Sequence, residues 1–359
     1  MNGSDSAFST EQILGKALDE EPLSRMEVLH LLALEQADET DKLFAAARII
    51  RDRYFGNRVF FYGFLYMSTW CRNDCAFCRY RASNRLCRRY RKTDREVIDA
   101  AVDLAASGVH LLDLTTGEDP LYYECGFESL LNVVREVKRL TSLPIMISFG
   151  ALPEQVLDCL VGAGADWYAC YQETHNRTLF QQLRLNQSYD ARLGKKHRAA
   201  QLGLLIEEGI MSGVGESLDD VADSMREMRK LGAHQVRVMN LVPQQGTPMQ
   251  GCPPPSELRE LVIIAVLRLL FPDRLIPASL DVNGIDGLKG KLEAGANVVS
   301  SLILPQSEMV GVAQSTLDVF EGHRTVHGIV PIISELGLEP AALDDYVSWI
   351  GNERGRCVP

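Results

Sequence analysis

The chain has 359 residues, 46% hydrophobic and 24% charged, with a formal charge of -11, which suits a large globular α/β enzyme or binding protein. That charge excludes a general nucleic-acid surface, because affinity for phosphate backbones rests on clustered Lys and Arg. Nine cysteines, no export signal and no apolar run of about 20 residues are expected of a cytoplasmic protein whose cysteines are reduced thiols or ligands, with no membrane span.

From Ser9 onward, apolar residues recur at helical spacing to about residue 52, which predicts an N-terminal helical extension over 1–55. The pattern then changes to short β-rich runs, each ending in polar or Gly residues and each followed by an amphipathic stretch. The runs cover 59–69, 108–119, 143–150, 165–174, 203–216, 235–247, 274–284 and 295–305. Eight alternating units predict a parallel (β/α)8 TIM-type barrel over 56–310, followed by a C-terminal helical segment over 311–359 packed on the barrel. An open doubly wound sheet is the alternative, but no Gly-rich turn follows the first run. In a barrel, polar residues at the C-terminal strand ends are the candidates for chemistry.

The first run leads into "CRNDCAFC", which places Cys71, Cys75 and Cys78 within eight residues. Thiolates are soft ligands for zinc or iron–sulfur clusters, and three in one loop can hold three corners of a [4Fe–4S] cube with the fourth iron open. A structural zinc site closes four ligands in paired spacings, and the remaining cysteines are scattered singly. The basic stretch "RYRASNRLCRRYRK" (Arg79 to Lys92) follows directly and reads either as a solvated face or as a positive field around an anionic cofactor.

The C-x3-C-x2-C loop at the end of a first barrel strand, with Phe77 before the last cysteine, resembles the signature of radical S-adenosylmethionine (SAM) enzymes. "RYFGNRVFFYGFLYMST", "DLTTGEDP", "LPIMIS", "YQET", "VRVMNLVPQQGTP", "RLIPASLDVNGIDG" and "GANVVSS", in that order over residues 50–310, are similar to the 3-methylornithine synthase family of pyrrolysine biosynthesis. The resemblance implies that the open iron chelates SAM, and that one electron cleaves SAM to a 5′-deoxyadenosyl radical. An outside electron donor such as flavodoxin or ferredoxin would supply it. The implied reaction is isomerisation of L-lysine to (3R)-3-methyl-D-ornithine through a glycyl radical and an aminobutene fragment, with the radical as the only catalytic group.

On that reading, Cys71, Cys75 and Cys78 hold the cluster. Phe77 and Glu118 belong to the cofactor site, Glu173 suits the ribose hydroxyls or amino group of SAM, and Arg192 suits its carboxylate. A lysine-like substrate needs one cation and two acceptors at separated points: Arg237 supplies the cation, and Asp113 and Asp281 the acceptors. Ser279 is expected on the same strand face as Asp281, and Ser148, Ser300 and Ser301 can complete the hydrogen bonding. An internal Arg237–Asp281 salt bridge is the structural alternative. Competing functions are a metallocofactor maturase or another biotin-synthase-like enzyme acting on an amino acid, and an iron–sulfur electron carrier without catalysis.

Overall fold

A computed structural model describes residues 9–305 and 323–356. Eight parallel strands form its centre: β1 Arg58–Ser68, β2 Leu111–Thr116, β3 Ile145–Ser148, β4 Trp167–Ala169, β5 Leu205–Ser212, β6 Gln235–Asn240, β7 Pro277–Ser279 and β8 Val298–Leu302. They neighbour one another in the order β6-β5-β4-β3-β2-β1-β8-β7. The ring closes where Val236 N donates to Leu275 O at 3.0 Å and Leu275 N to His234 O at 3.2 Å. The expected (β/α)8 barrel is therefore present, and helices between the strands cover its outside.

Local chemistry sets the helix starts. Thr93 caps Asp94–Ala106 in a capping box with Glu96, and Ser217 caps Leu218–Leu231 in one with Asp220. The N-terminal extension forms three helices, Thr10–Leu18, Arg25–Leu32 and Ala37–Phe55, which pack chiefly on the barrel helix Glu257–Leu270. Arg51 ties the third of them to the barrel by donating to Leu292 O at 2.8 Å.

The C-terminal end of the chain closes the bottom of the barrel. A two-residue strand, β9 Glu339–Pro340, pairs with the start of β1, and the helix Leu343–Arg356 lays Tyr346 on Tyr62, with the two hydroxyls 2.7 Å apart. Trp349 stacks on Trp167, the first residue of β4, with ring centroids at 5.9 Å. With the N-terminal strand ends plugged by aromatic side chains, the interior opens toward the C-terminal ends. The expected unit 311–359 is described only over 323–356, and its other residues lie outside the described ones.

Candidate active site

A cavity of about 270 Å³ lies inside the C-terminal end of the barrel, with Tyr62 among its lining residues. Cys71, Cys75 and Cys78 line it together, on the loop that leaves β1. That loop is held from several sides. Arg72 N donates to Glu118 O at 2.9 Å, Ala76 N to Leu183 O at 2.7 Å and Ala82 N to Asn73 O at 2.8 Å. Gly117 makes the approach possible, since a Cβ there would stand 2.3 Å from Trp70 O.

Burial, and then the neighbouring sulfurs, push the Cys78 thiol well up, and burial also raises Cys71. Thiols raised in this way ionise only against nearby positive charge, which iron would supply. Among the described residues no three Cys, His, Asp or Glu side chains converge on one point as a single metal ion requires. A cubane instead takes one thiolate per iron, so the triplet fits a cluster better than zinc. Donors already face one sulfur: Gln187 Nε2 donates to Cys75 Sγ at 3.1 Å and Arg184 Nη1 at 3.5 Å.

Next to this loop stand the residues expected to meet the cofactor. Glu173, just past β4, has φ +69 and is buried against Arg184, whose Nη2 donates to it at 2.6 Å. Burial raises the Glu173 carboxyl while Arg184 and Arg192 oppose that rise, and its second oxygen has no hydrogen-bond partner. Arg192 is 6% exposed, so it is no surface cation, and it donates to Tyr171 O at 2.7 Å. It lies 3.7 Å from Glu118, which also accepts from Ala151 N at 2.9 Å and Arg72 Nε at 3.1 Å. Phe77 lines the same cavity, with the Arg184 guanidinium 5.5 Å from its ring centre.

A charged wall faces them. Glu207 on β5 and Arg237 on β6 are ion-paired at 2.7 Å, and Tyr171 donates its hydroxyl to Glu207 at 2.8 Å. Gly209 leaves the space for this, because a Cβ there would lie 3.1 Å from both the Arg237 stem and the Tyr171 ring. Arg237 Nη2 donates to Ser300 at 3.2 Å, whereas its Nη1 meets only the Met239 sulfur, at 3.7 Å. Burial works against its charge, but Glu207 and Tyr171 keep Arg237 firmly protonated. Asp281 is paired with Arg324 at 2.7 Å and accepts from Ser301 at 2.7 Å. Asp113 accepts only from hydroxyls, Ser148 at 2.9 Å and Thr115 at 3.0 Å. Burial, and then the Glu207 charge, lift its carboxyl to about 7.

The radical SAM superfamily profile matches residues 65–228. A 3-methylornithine synthase from Methanosarcina barkeri is 42% identical over 94% of this chain and 95% of its own length. The chain belongs to the 3-methylornithine synthase family of radical SAM enzymes. A crystal structure of methylornithine synthase superposes with a TM-score of 0.90 and 41% identity over 94% of this chain and 99% of that one. An [FeFe] hydrogenase maturase subunit from Thermotoga maritima is 27% identical over 96% of this chain and 97% of its own length.

As a member of this radical SAM family the chain is an enzyme with a [4Fe–4S] cluster and SAM as cofactors. Against the expectations for such an enzyme, the structure brings Asp113, Ser148, Arg237, Asp281, Ser300 and Ser301 to one cavity with Glu118, Glu173 and Arg192. Ser279 is a correction. β7 ends at Ser279, so Asp281 stands in the following turn and not on a shared strand face. The Ser279 hydroxyl accepts from Asp281 N at 3.3 Å, and Ser279 is not among the cavity's lining residues.

The alternative of an Arg237–Asp281 bridge is not formed, because each residue has another buried partner. Sequence reasoning missed those partners, Glu207 and Arg324, along with Arg184 and Gln187. One signal was present: adjacent acids inside the apolar run "LLIEEGIM" must put one carboxylate inside the barrel and one outside. The positive-field reading of Arg79 to Lys92 weakens in part. Arg81 is paired with Asp74 at 3.2 Å, Arg91 with Asp119 at 2.6 Å and Lys92 with Glu96 at 3.6 Å.

Proposed function

We propose that this enzyme isomerises L-lysine to (3R)-3-methyl-D-ornithine, the first step of pyrrolysine biosynthesis. The observation that carries the reading is the uneven pairing of the cavity wall. Glu207 and Asp281 each have an arginine, whereas Asp113 has only hydroxyls, and one edge of Arg237 meets nothing more polar than a thioether. A buried carboxylate without a cation and a guanidinium edge without an anion suit a ligand carrying an ammonium and a carboxylate. The 42% identity to a 3-methylornithine synthase over nearly the whole chain supports the same substrate.

The cluster and SAM, when bound, supply a 5′-deoxyadenosyl radical that takes a hydrogen atom from the substrate side chain. The chain's own residues bind and orient. Arg237 holds the carboxylate end through Nη1, with Nε fixed on Glu207 and Nη2 on Ser300. Asp113 takes an ammonium, steadied by Ser148 and Thr115. Asp281, held by Arg324 and Ser301, offers a second acceptor region. Fragments held by charged ends recombine before they diffuse apart, which is the protein's share of the work. Glu173 and Arg192 meet SAM beside the cysteine loop, together with Phe77 and Glu118.

In the same reading residues 56–310 are the catalytic barrel, 1–55 an N-terminal brace and 311–359 a C-terminal closure. The enzyme works in the cytoplasm and takes its electron from a flavodoxin or ferredoxin. No described helix is long and apolar enough to cross a membrane. Anaerobic incubation of the reconstituted enzyme with SAM, a reductant and uniformly labelled lysine tests the proposal. The expected product is an isomer of identical mass. Untouched lysine alongside full cluster content and SAM cleavage would overturn it.

A further inference from the structure

We infer that the outer face of the cysteine loop, centred on Trp70, Arg85 and Leu86, is the docking surface for a small acidic one-electron carrier protein. The inference rests on the reading that an outside carrier reduces the cluster, and adds where it binds and what chemistry it presents. The chain as a whole carries -11, yet residues 79–92 hold seven Arg or Lys and no acid. This run begins one peptide bond after Cys78, and the exposed Trp70 stands one peptide bond before Cys71. Two cluster ligands are therefore covalent neighbours of the surface.

The loop presents this surface as one unit. The Arg89 guanidinium donates to backbone carbonyls of Thr69, Tyr80, Arg81 and Asn84, and so gathers the segment before Cys71 and the basic run after Cys78 around one side chain. Carbonyls bind that charge without cancelling it. Arg79 and Arg85 have no carboxylate partner among the described residues, and Arg85 is exposed. Among these cations two large apolar side chains stand in water, Trp70 at 44% and Leu86 at 64% relative exposure.

An exposed aromatic and an exposed aliphatic side chain beside and within a basic run, with the Arg89 guanidinium 5.9 Å from the Trp70 ring, have the composition of a protein interface, and the run's positive sign selects an acidic partner. Electron transfer favours the shortest path, and this face is joined to Cys71 and Cys78 by single peptide bonds.

Stopped-flow bleaching of the reconstituted cluster, driven by an acidic flavodoxin in its reduced state or by dithionite, tests the surface. For Arg85→Glu and for Arg85→Glu/Leu86→Asp, reduction by flavodoxin should slow by about tenfold or more at low salt, the scale of electrostatic steering. Reduction by dithionite should match the wild type. The wild-type flavodoxin rate should fall steeply with salt, and Lys42→Glu, the same charge change on the N-terminal helices, should have no effect. Equal flavodoxin rates in wild type and variants, or a wild type that dithionite reduces and flavodoxin does not, overturns the inference. Loss of lysine isomerisation with normal flavodoxin reduction would instead strike the proposed substrate and leave this surface standing.

Discussion

Glu207 and Arg237 meet at 2.7 Å inside the barrel, with side-chain exposures of 0% and 8%. In the β5–β6 register Glu207 lies opposite Gln235, so Arg237 stands two residues farther toward the C-terminal end and reaches back along the barrel axis. The pair thus fixes the direction of the guanidinium and leaves its far edge to the cavity.

Removing one member of a fully buried pair strands the other, which typically costs about 3–5 kcal/mol. Glu207→Gln should lower the denaturant midpoint by a cost of about that size, and Glu207→Gln/Arg237→Met should recover part of it, because no charge is then stranded. Urea unfolding of the cluster-free proteins measures both. Equal midpoints for wild type and Glu207→Gln would show that the pair adds nothing to stability.

Asp113 gives a pH dependence with a definite sign. Its carboxyl is lifted to about 7, and only the ionised form attracts an ammonium. Lysine should bind more tightly as pH rises from about 6 to 8, and below 7 binding should release a proton, since the ligand's charge draws the group back toward ionisation. Calorimetry in buffers of different ionisation heat detects that proton. Asp113→Asn should flatten the profile and weaken binding; an Asn variant that keeps the wild-type profile would place the titrating group elsewhere.

Gln187 and Arg184 both donate to Cys75 Sγ. Hydrogen bonds to a cluster sulfur favour the reduced, more negative state, so Gln187→Leu should shift the cluster potential to more negative values with iron content unchanged. Spectroscopic redox titration is the readout. An unmoved potential would mean that Gln187 serves only to pack the loop.

Cluster retention should depend on three thiols alone. Cys71→Ala, Cys75→Ala and Cys78→Ala should lose the visible iron–sulfur absorbance, while Cys87→Ala and Cys170→Ala should keep it. Cys170 is the stringent control, because it also lines the cavity. A four-iron cluster retained in Cys75→Ala would reject the ligand set.

The strand and helix pattern was legible because it is periodic: apolar runs bounded by Gly and polar residues, with capping residues such as Thr93 and Ser217 before amphipathic stretches, can be counted along the chain. The cysteine spacing was legible for a similar reason, as its meaning lies within eight residues. Asp113, Arg237 and Asp281 stood out as charges interrupting apolar runs, which makes them costly in a core and therefore noticeable.

Which charge meets which is a different kind of information. Glu207 pairs with Arg237 across a strand register, Asp281 with Arg324 from beyond the barrel, and Arg184 bridges Glu173 to Cys75 across a turn in one direction and a separate loop in the other. β7 stopped at Ser279, which moved Asp281 off the strand face that alternation alone would assign. The sequence by itself determined the barrel, the cysteine spacing and the charges of Asp113, Arg237 and Asp281 within apolar runs, because those follow from local periodicity and spacing. Only the tertiary structure decided the pairing and left Asp113 without a cation, because partners far apart in the chain are chosen by register and by where each strand ends.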